Sequence, residues 1–136
     1  NGTSNSILSA MEENGAEFGA MLERAQADGI AEADPRLDVD GVDAGHKLAI
    51  LAALAFGARL DVAAVSTRGI AAIRAADIAH ARQLGFVIRL VATADLDESG
   101  EGTVPRLLQR VRPCLVPRGH PLARRELRRR PAVASG

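Results

Sequence analysis

Residues 32–47, which read EADPRLDVDGVDAGHK, place five carboxylates before one lysine. Asp43 and Lys47 are four residues apart, so they share a face if the segment is helical, with the acid in the favourable order for an ion pair. Desolvation would favour the neutral amine of Lys47, whereas neighbouring carboxylates would favour its charged form. This competition suits a proton-transfer group.

Three further acids, Glu32, Asp34 and Asp38, precede this pair on a loop that Pro35 stiffens. We expect the loop to fold over the start of the helix, so that several carboxylates converge on Lys47. A polar cluster of this kind suits the binding of a small zwitterion through its ammonium group.

Two other interpretations compete with this cluster. Acidic residues favour a helix amino terminus because of the helix dipole, so Asp43 and Lys47 could form an ordinary surface ion pair. The string DVDGVD also looks like a calcium-binding loop. That register puts Arg36 and Lys47 at ligand positions, however, and two cations there exclude calcium. The sequence therefore predicts no metal site.

Composition narrows the class of protein. The 136 residues support one domain or part of a larger one. Hydrophobic residues make up 47% of the chain and aromatic residues only 2%, so we expect an aliphatic core. The formal net charge is zero, which gives no indication of a nucleic-acid or membrane partner. A single cysteine excludes an internal disulfide and favours a cytoplasmic protein.

The ends of the chain also carry information. The first residue is Asn1, so we expect the sequence to begin inside a longer protein. No signal peptide is visible, and the longest apolar run, residues 48–57, is too short to cross a bilayer.

Apolar residues at helical spacing predict two short amphipathic helices in residues 5–15 and 17–29, each ending at a glycine. A loop is expected from residue 29 to about 39. Residues 41–56 predict a central, largely buried helix. Its apolar stripe consists of Ala44, Leu48, Leu51, Ala52 and Ala55. A shorter helix is predicted in residues 75–85.

From residue 86 onwards the chain is rich in β-branched and other apolar residues. Residues 86–96 predict a strand, residues 97–102 a turn, and residues 107–117 a second strand that Pro113 interrupts. Helices followed by strands indicate an α+β fold, with helices packed on one face of an open β-sheet.

The string from Ala25 to Lys47 resembles the fingerprint of the homoserine dehydrogenase family. The matching positions are Ala25, Gly29, Ile30, Ala31, Asp34, Pro35, Asp38, Val39, Gly41, Asp43 and Lys47. The strings NGTSNSILSAMEENG, GVDAGHKLAILAALAFG, AADIAHARQLGFVIRLVA and RPCLVPRGHPLA are also similar to the family, in its order. The likeness covers residues 1–123, which we expect to be a segment of the family's catalytic domain.

The resemblance implies reversible reduction of L-aspartate 4-semialdehyde to L-homoserine with NADPH or NADH, in threonine and methionine biosynthesis. It implies that Lys47 is the acid/base at the carbonyl oxygen. It also implies that Glu32 and Asp43 bind the amino-acid substrate, with Asp38 in the same pocket and Thr3 among the substrate-binding residues. The family dimerises through this domain, so a homodimer is implied for the full-length enzyme.

Two departures from the family are visible. No G-x-G-x-x-G follows a strand, so the NADP or NAD site is expected mainly in an N-terminal domain outside this sequence. The family's monovalent-cation site should also lie upstream. Residues 124–136 form an Arg-rich tail that resembles nothing in the family, and we expect an altered or out-of-frame end there. The alternative interpretation is a basic arm for nucleic acid or membrane.

A non-enzymatic alternative is an acidic helical module in which residues 32–43 bind a cationic partner. Three other side chains that could react are expected to have no chemical role. His46 lies about 100° around the helix from Lys47, His120 precedes a proline in a loop, and Cys114 lies in a strand and is expected in the core.

Overall fold

A computed structural model describes residues 1–102 and 104–124, and within them the chain forms five α-helices and three β-strands. The helices are α1 (Gly2–Asn14), α2 (Phe18–Ala27), α3 (Arg36–Val39), α4 (Val42–Phe56) and α5 (Ala75–Gln83). The strands are β1 (Val65–Thr67), β2 (Phe86–Asp97) and β3 (Arg106–Pro117). Two short 3-10 helices span Val62–Ala64 and Pro121–Ala123. Apart from Arg124, the predicted Arg-rich tail lies outside the described residues.

The predicted helices are confirmed, with two corrections. The expected loop contains α3, a single turn that starts directly after Pro35, where a proline is well tolerated at a helix start. Helix α4 is not largely buried. Only one face of it is covered, and Leu51 and Leu54 are 63% and 78% exposed. The buried residues of α4 are Ala44, Gly45, Leu48, Ala49 and Ala52, and Gly45 lies close to Val65 and Thr67 of β1.

The sheet has the strand order β1-β3-β2. Strands β2 and β3 pair antiparallel along all twelve residues of each strand, and β1 pairs parallel to β3. Strand β1 was not predicted, because three residues are too few to show a period. The α+β class is confirmed.

Strand β3 runs through Pro113 without interruption, contrary to the prediction. The carbonyl of Val111 accepts a hydrogen bond from the Arg68 N–H, so Val111 presents its backbone polar groups to β1 rather than to β2. Pro113, two residues further on, faces the same side. Strand β1 has already ended there, so the missing N–H of proline costs no ladder hydrogen bond.

The core lies between the helices and one face of the sheet. Ile7, Leu8 and Met11 of α1 are essentially inaccessible and belong to one cluster with Ile88 and Leu90 of β2. The opposite face of the hairpin carries a smaller cluster of Val87, Val116 and Ala123, with Val91 packed against it. Helices therefore cover one face of the sheet, as predicted.

Candidate functional site

The start of α4 fixes one lysine–carboxylate pair. Gly41 makes the turn from α3 into α4 with φ 79°, a left-handed conformation that favours glycine. One turn into α4, Lys47 Nζ donates a hydrogen bond of 2.7 Å to Asp43 Oδ2. The side chains are 68% and 37% exposed, so the ammonium group faces solvent rather than the core. Lys47 is also the only lysine in the chain.

Asp34 is paired locally within the acidic loop. The Arg36 guanidinium donates to both carboxylate oxygens, Nε to Oδ1 at 2.8 Å and Nη2 to Oδ2 at 2.6 Å. This side-chain bonding, together with the Arg36 backbone N–H, lowers the pKa of Asp34 to about 2. The charge of Asp34 is therefore already compensated.

Asp38 is held by the amino-terminal turn of α1. Asn1 Nδ2 donates to Asp38 Oδ1 at 3.2 Å, and the fully buried Ser4 hydroxyl donates to the Asp38 carbonyl at 2.7 Å. Thr3 Oγ1 lies on the same turn and donates to the Ile30 carbonyl at 3.5 Å. One helical turn thus contacts the main chain on both sides of the acidic loop.

Glu32 differs from its neighbours, because its side chain is exposed and its carboxylate has no hydrogen bond or ion pair within the described residues. Its main-chain carbonyl accepts a 3.0 Å hydrogen bond from Gln26 Nε2 of α2. Gln26 was missed in the sequence, although it directly follows the first position of the matched pattern, because a half-exposed glutamine gives no chemical signal by itself.

The predicted convergence of several acids on Lys47 is not present in this structure. Asp43 alone bonds to the lysine. Asp34 accepts hydrogen bonds from Arg36 instead, and Asp38 accepts one from Asn1. Asn1 and Ser4 at the start of α1 hold Asp38, and Arg36 holds Asp34, so neither acid bonds to Lys47.

The remaining reactive residues take structural or peripheral positions. His46 is exposed on α4, and His120 Nδ1 accepts from the Leu122 N–H at the start of the last 3-10 helix, at 3.1 Å. Cys114 is a free thiol that is only partly covered, not a fully buried core residue. Across residues 1–102 and 104–124, no three His, Cys, Asp or Glu side chains come together as metal ligands. No helix in that part of the chain is long and apolar enough to cross a membrane.

Within the described residues the candidate site therefore consists of an exposed lysine that bonds to one carboxylate, and of a separate exposed glutamate without a partner. The homoserine dehydrogenase family model matches residues 1–132. A homoserine dehydrogenase of Synechocystis is 51% identical over 123 residues, 90% of this chain and 28% of its own length. The chain belongs to the homoserine dehydrogenase family.

Solved structures agree with this assignment. The crystal structure of a homoserine dehydrogenase from Thiobacillus denitrificans matches with a TM-score of 0.83 and 42% identity, over 90% of this chain and 27% of that one. A hyperthermophilic archaeal homoserine dehydrogenase in complex with NADPH matches with a TM-score of 0.66 and 28% identity, over 90% and 31%. The chain therefore spans less than a third of the length of these relatives.

The described residues contain no glycine-rich phosphate cradle between a strand and an α-helix. Within residues 1–102 and 104–124, β1 is the only strand followed by an α-helix, and the loop between β1 and α5 holds one glycine, Gly69. A Cβ placed on Gly69 would lie 2.3 Å from the Val39 carbonyl oxygen, so the space beside this glycine is filled by main chain. No phosphate could approach it as in a glycine-rich cradle.

Proposed function

We propose that this chain is the substrate-binding and acid/base segment of an NAD(P)-dependent homoserine dehydrogenase, which interconverts L-aspartate 4-semialdehyde and L-homoserine. The observation that carries the proposal is the exposed Lys47 ammonium, held at 2.7 Å by Asp43 within a chain of this family. The comparisons give no support to the alternative of a non-enzymatic acidic binding module.

In this proposal Lys47 moves the proton. During reduction its Nζ–H donates to the carbonyl oxygen as that oxygen becomes an alkoxide, and in the reverse direction the neutral amine accepts the hydroxyl proton. Asp43 orients the ammonium group through its 2.7 Å hydrogen bond. Solvent access to Nζ allows the proton to be replaced between turnovers.

Glu32 and Asp43 bind the substrate's ammonium group in this proposal. Glu32 is suited to the role, because no described side chain already neutralises it. Asp38 contributes negative charge nearby, and Thr3 lies on the turn of α1 that contacts the loop. Carboxylates and an ammonium group attract each other more strongly as water is excluded from between them.

Further parts of the proposal concern the whole enzyme. NADP or NAD binds mainly outside residues 1–123, the proposed catalytic-domain segment, and residues 124–136 are left unassigned. The full-length enzyme is a cytoplasmic homodimer that acts without nucleic acid or membrane.

The test is an assay of homoserine oxidation by the full-length polypeptide that carries this chain, with NADP and NAD supplied separately. Homoserine-dependent reduction of either nicotinamide supports the proposal. Absence of turnover with both, in a folded and pure protein, would refute it.

A further inference from the structure

Gln26 bonds to two consecutive main-chain carbonyls of the acidic loop. From the last turn of α2, its Nε2 donates to the Glu32 carbonyl at 3.0 Å and to the Ala33 carbonyl at 3.2 Å. Two neighbouring carbonyls can point to one amide group only if the main chain turns there. The bond pair therefore fixes the backbone at Glu32, and with it the direction in which the Glu32 side chain leaves the chain.

The chain on the amino-terminal side of Glu32 is fixed as well. The N–H groups of Ile30 and Ala31 both donate to the Ala25 carbonyl, at 2.8 and 3.0 Å, and the Ala31 side chain is buried. Gln26 supplies the side-chain anchor on the carboxyl-terminal side. Its donors are satisfied by carbonyls, so the Glu32 carboxylate is left for another group.

We propose that Gln26 is a positioning residue for substrate binding, which holds the main chain at Glu32 and Ala33 so that the Glu32 carboxylate meets the substrate's ammonium group. The inference rests on the function proposed above. It assigns no chemistry to Gln26 itself, which acts only through Glu32.

The first test replaces Gln26 by methionine, Gln26→Met, in the full-length enzyme. Methionine has a similar length and helix propensity and lacks both donors. The KM for homoserine should rise roughly 2- to 10-fold, the range expected for loss of neutral hydrogen bonds, while kcat and the KM for the nicotinamide stay near wild type. Gln83→Met, at an exposed position on α5, is the matched control and should leave every constant unchanged.

A second variant separates positioning from charge. Gln26→Glu keeps the shape but turns a donor into an acceptor that repels both carbonyls. If only charge mattered, an added carboxylate near the site would attract the ammonium group and lower the KM for homoserine. Positioning predicts that this KM rises instead, with Gln83→Glu as the control for charge.

The outcomes discriminate between the two proposals. A wild-type enzyme that does not oxidise homoserine refutes the proposed function, and the role of Gln26 with it. An active wild type whose KM for homoserine is unchanged in Gln26→Met, or falls in Gln26→Glu, overturns the inference alone. A lower kcat together with equal rises in both KM values and a lowered melting temperature would mean a general structural role for Gln26. That outcome would also overturn the inference.

Discussion

Lys47 is the residue on which the proposed chemistry depends. An arginine at this position could form the same ion pair with Asp43, but a guanidinium does not release a proton near neutral pH, whereas an ammonium group can be tuned to do so. The structure leaves Nζ at the surface of the described residues, within reach of a ligand that binds against the start of α4.

The substitution Lys47→Ala in the full-length enzyme should lower kcat by roughly 10²–10⁴-fold, the usual contribution of a positioned acid or base. The KM for homoserine should change less, because under the proposed function Glu32 and Asp43 would still hold the ammonium group. Lys47→Arg should not restore kcat. Steady-state kinetics with a check of folding by circular dichroism measures this.

The surface ion-pair interpretation predicts something different for the same variant. An exposed pair of this spacing contributes about 0.3–0.5 kcal/mol to stability, so Lys47→Ala would shift unfolding slightly and leave turnover intact. A kcat within about twofold of wild type would reduce Lys47 to that role.

The Asp34–Arg36 pair yields a prediction about pH. Arg36→Ala should raise the pKa of Asp34 from about 2 towards the ordinary aspartate value, about 4, while the backbone N–H of residue 36 keeps it somewhat low. Because the folded-state pKa is the lower one, the pair contributes to stability above pH 4, and the contribution is lost as pH falls towards 2. Titration of the Asp34 carboxyl by NMR measures the shift.

The control for that titration is Arg24→Ala, which removes a looser pair with Asp28 at 3.9 Å and should leave Asp34 unchanged. An Asp34 that still titrates near 2 in Arg36→Ala would show that the Arg36 guanidinium is not the main cause of the low pKa.

At the scale of elements, the junction between α3 and α4 positions the Asp43–Lys47 pair. Gly41 combines a positive φ with a tight approach to the sheet, since a Cβ there would lie 3.2 Å from Val111 Cγ1. The turn thus presses the start of α4 against β3, and Asp43 follows within the first helical turn.

Gly41→Ala should lower the free energy of unfolding of the chain by about 1–3 kcal/mol for the left-handed backbone alone, and further because of Val111. Gly57→Ala is the matched control. It has a similar φ of 61°, and an added Cβ there would contact nothing within 4 Å. Urea denaturation of both variants should show Gly41→Ala to be the more destabilising. Equal losses would mean that contact with Val111 contributes nothing.

At the scale of the whole molecule, the exposed apolar face of α4 has consequences for the isolated chain. Ile50, Leu51, Leu54 and Phe56 are each more than 40% exposed, and β2 is an edge strand of twelve residues. Contiguous apolar surface and an open strand edge both promote association.

The 136-residue chain by itself should therefore form dimers or larger species, as sedimentation velocity would show. The double substitution Leu51→Lys and Leu54→Lys should shift the distribution towards monomer. A monomeric wild type at high concentration would contradict this prediction.

The isolated chain should also fail to bind the nicotinamide cofactor specifically. A Cβ on Gly69 would meet the Val39 main chain, and the described residues contain no other loop that runs from a strand into an α-helix. Calorimetry with NADPH should show no saturable heat. A micromolar dissociation constant would disprove the absence of a cofactor site.

The sequence by itself determined what depends on neighbours along the chain. Helices α1, α2, α4 and α5 follow from apolar spacing and terminal glycines, and the Asp43–Lys47 pair follows from a four-residue separation on one helix. The matched pattern from Ala25 to Lys47 also indicated the family, which the comparisons confirm.

Tertiary structure alone decided what depends on distant partners. Asp38 contacts Asn1 and Ser4, which lie 37 and 34 residues away, and these contacts keep it from Lys47. Strand β1 is defined only by its pairing with β3, and Pro113 is tolerated only because β1 ends before it. A donor bonds to whichever acceptor the fold brings within hydrogen-bond distance. A pattern of residue types along the chain does not show which distant acceptor that will be.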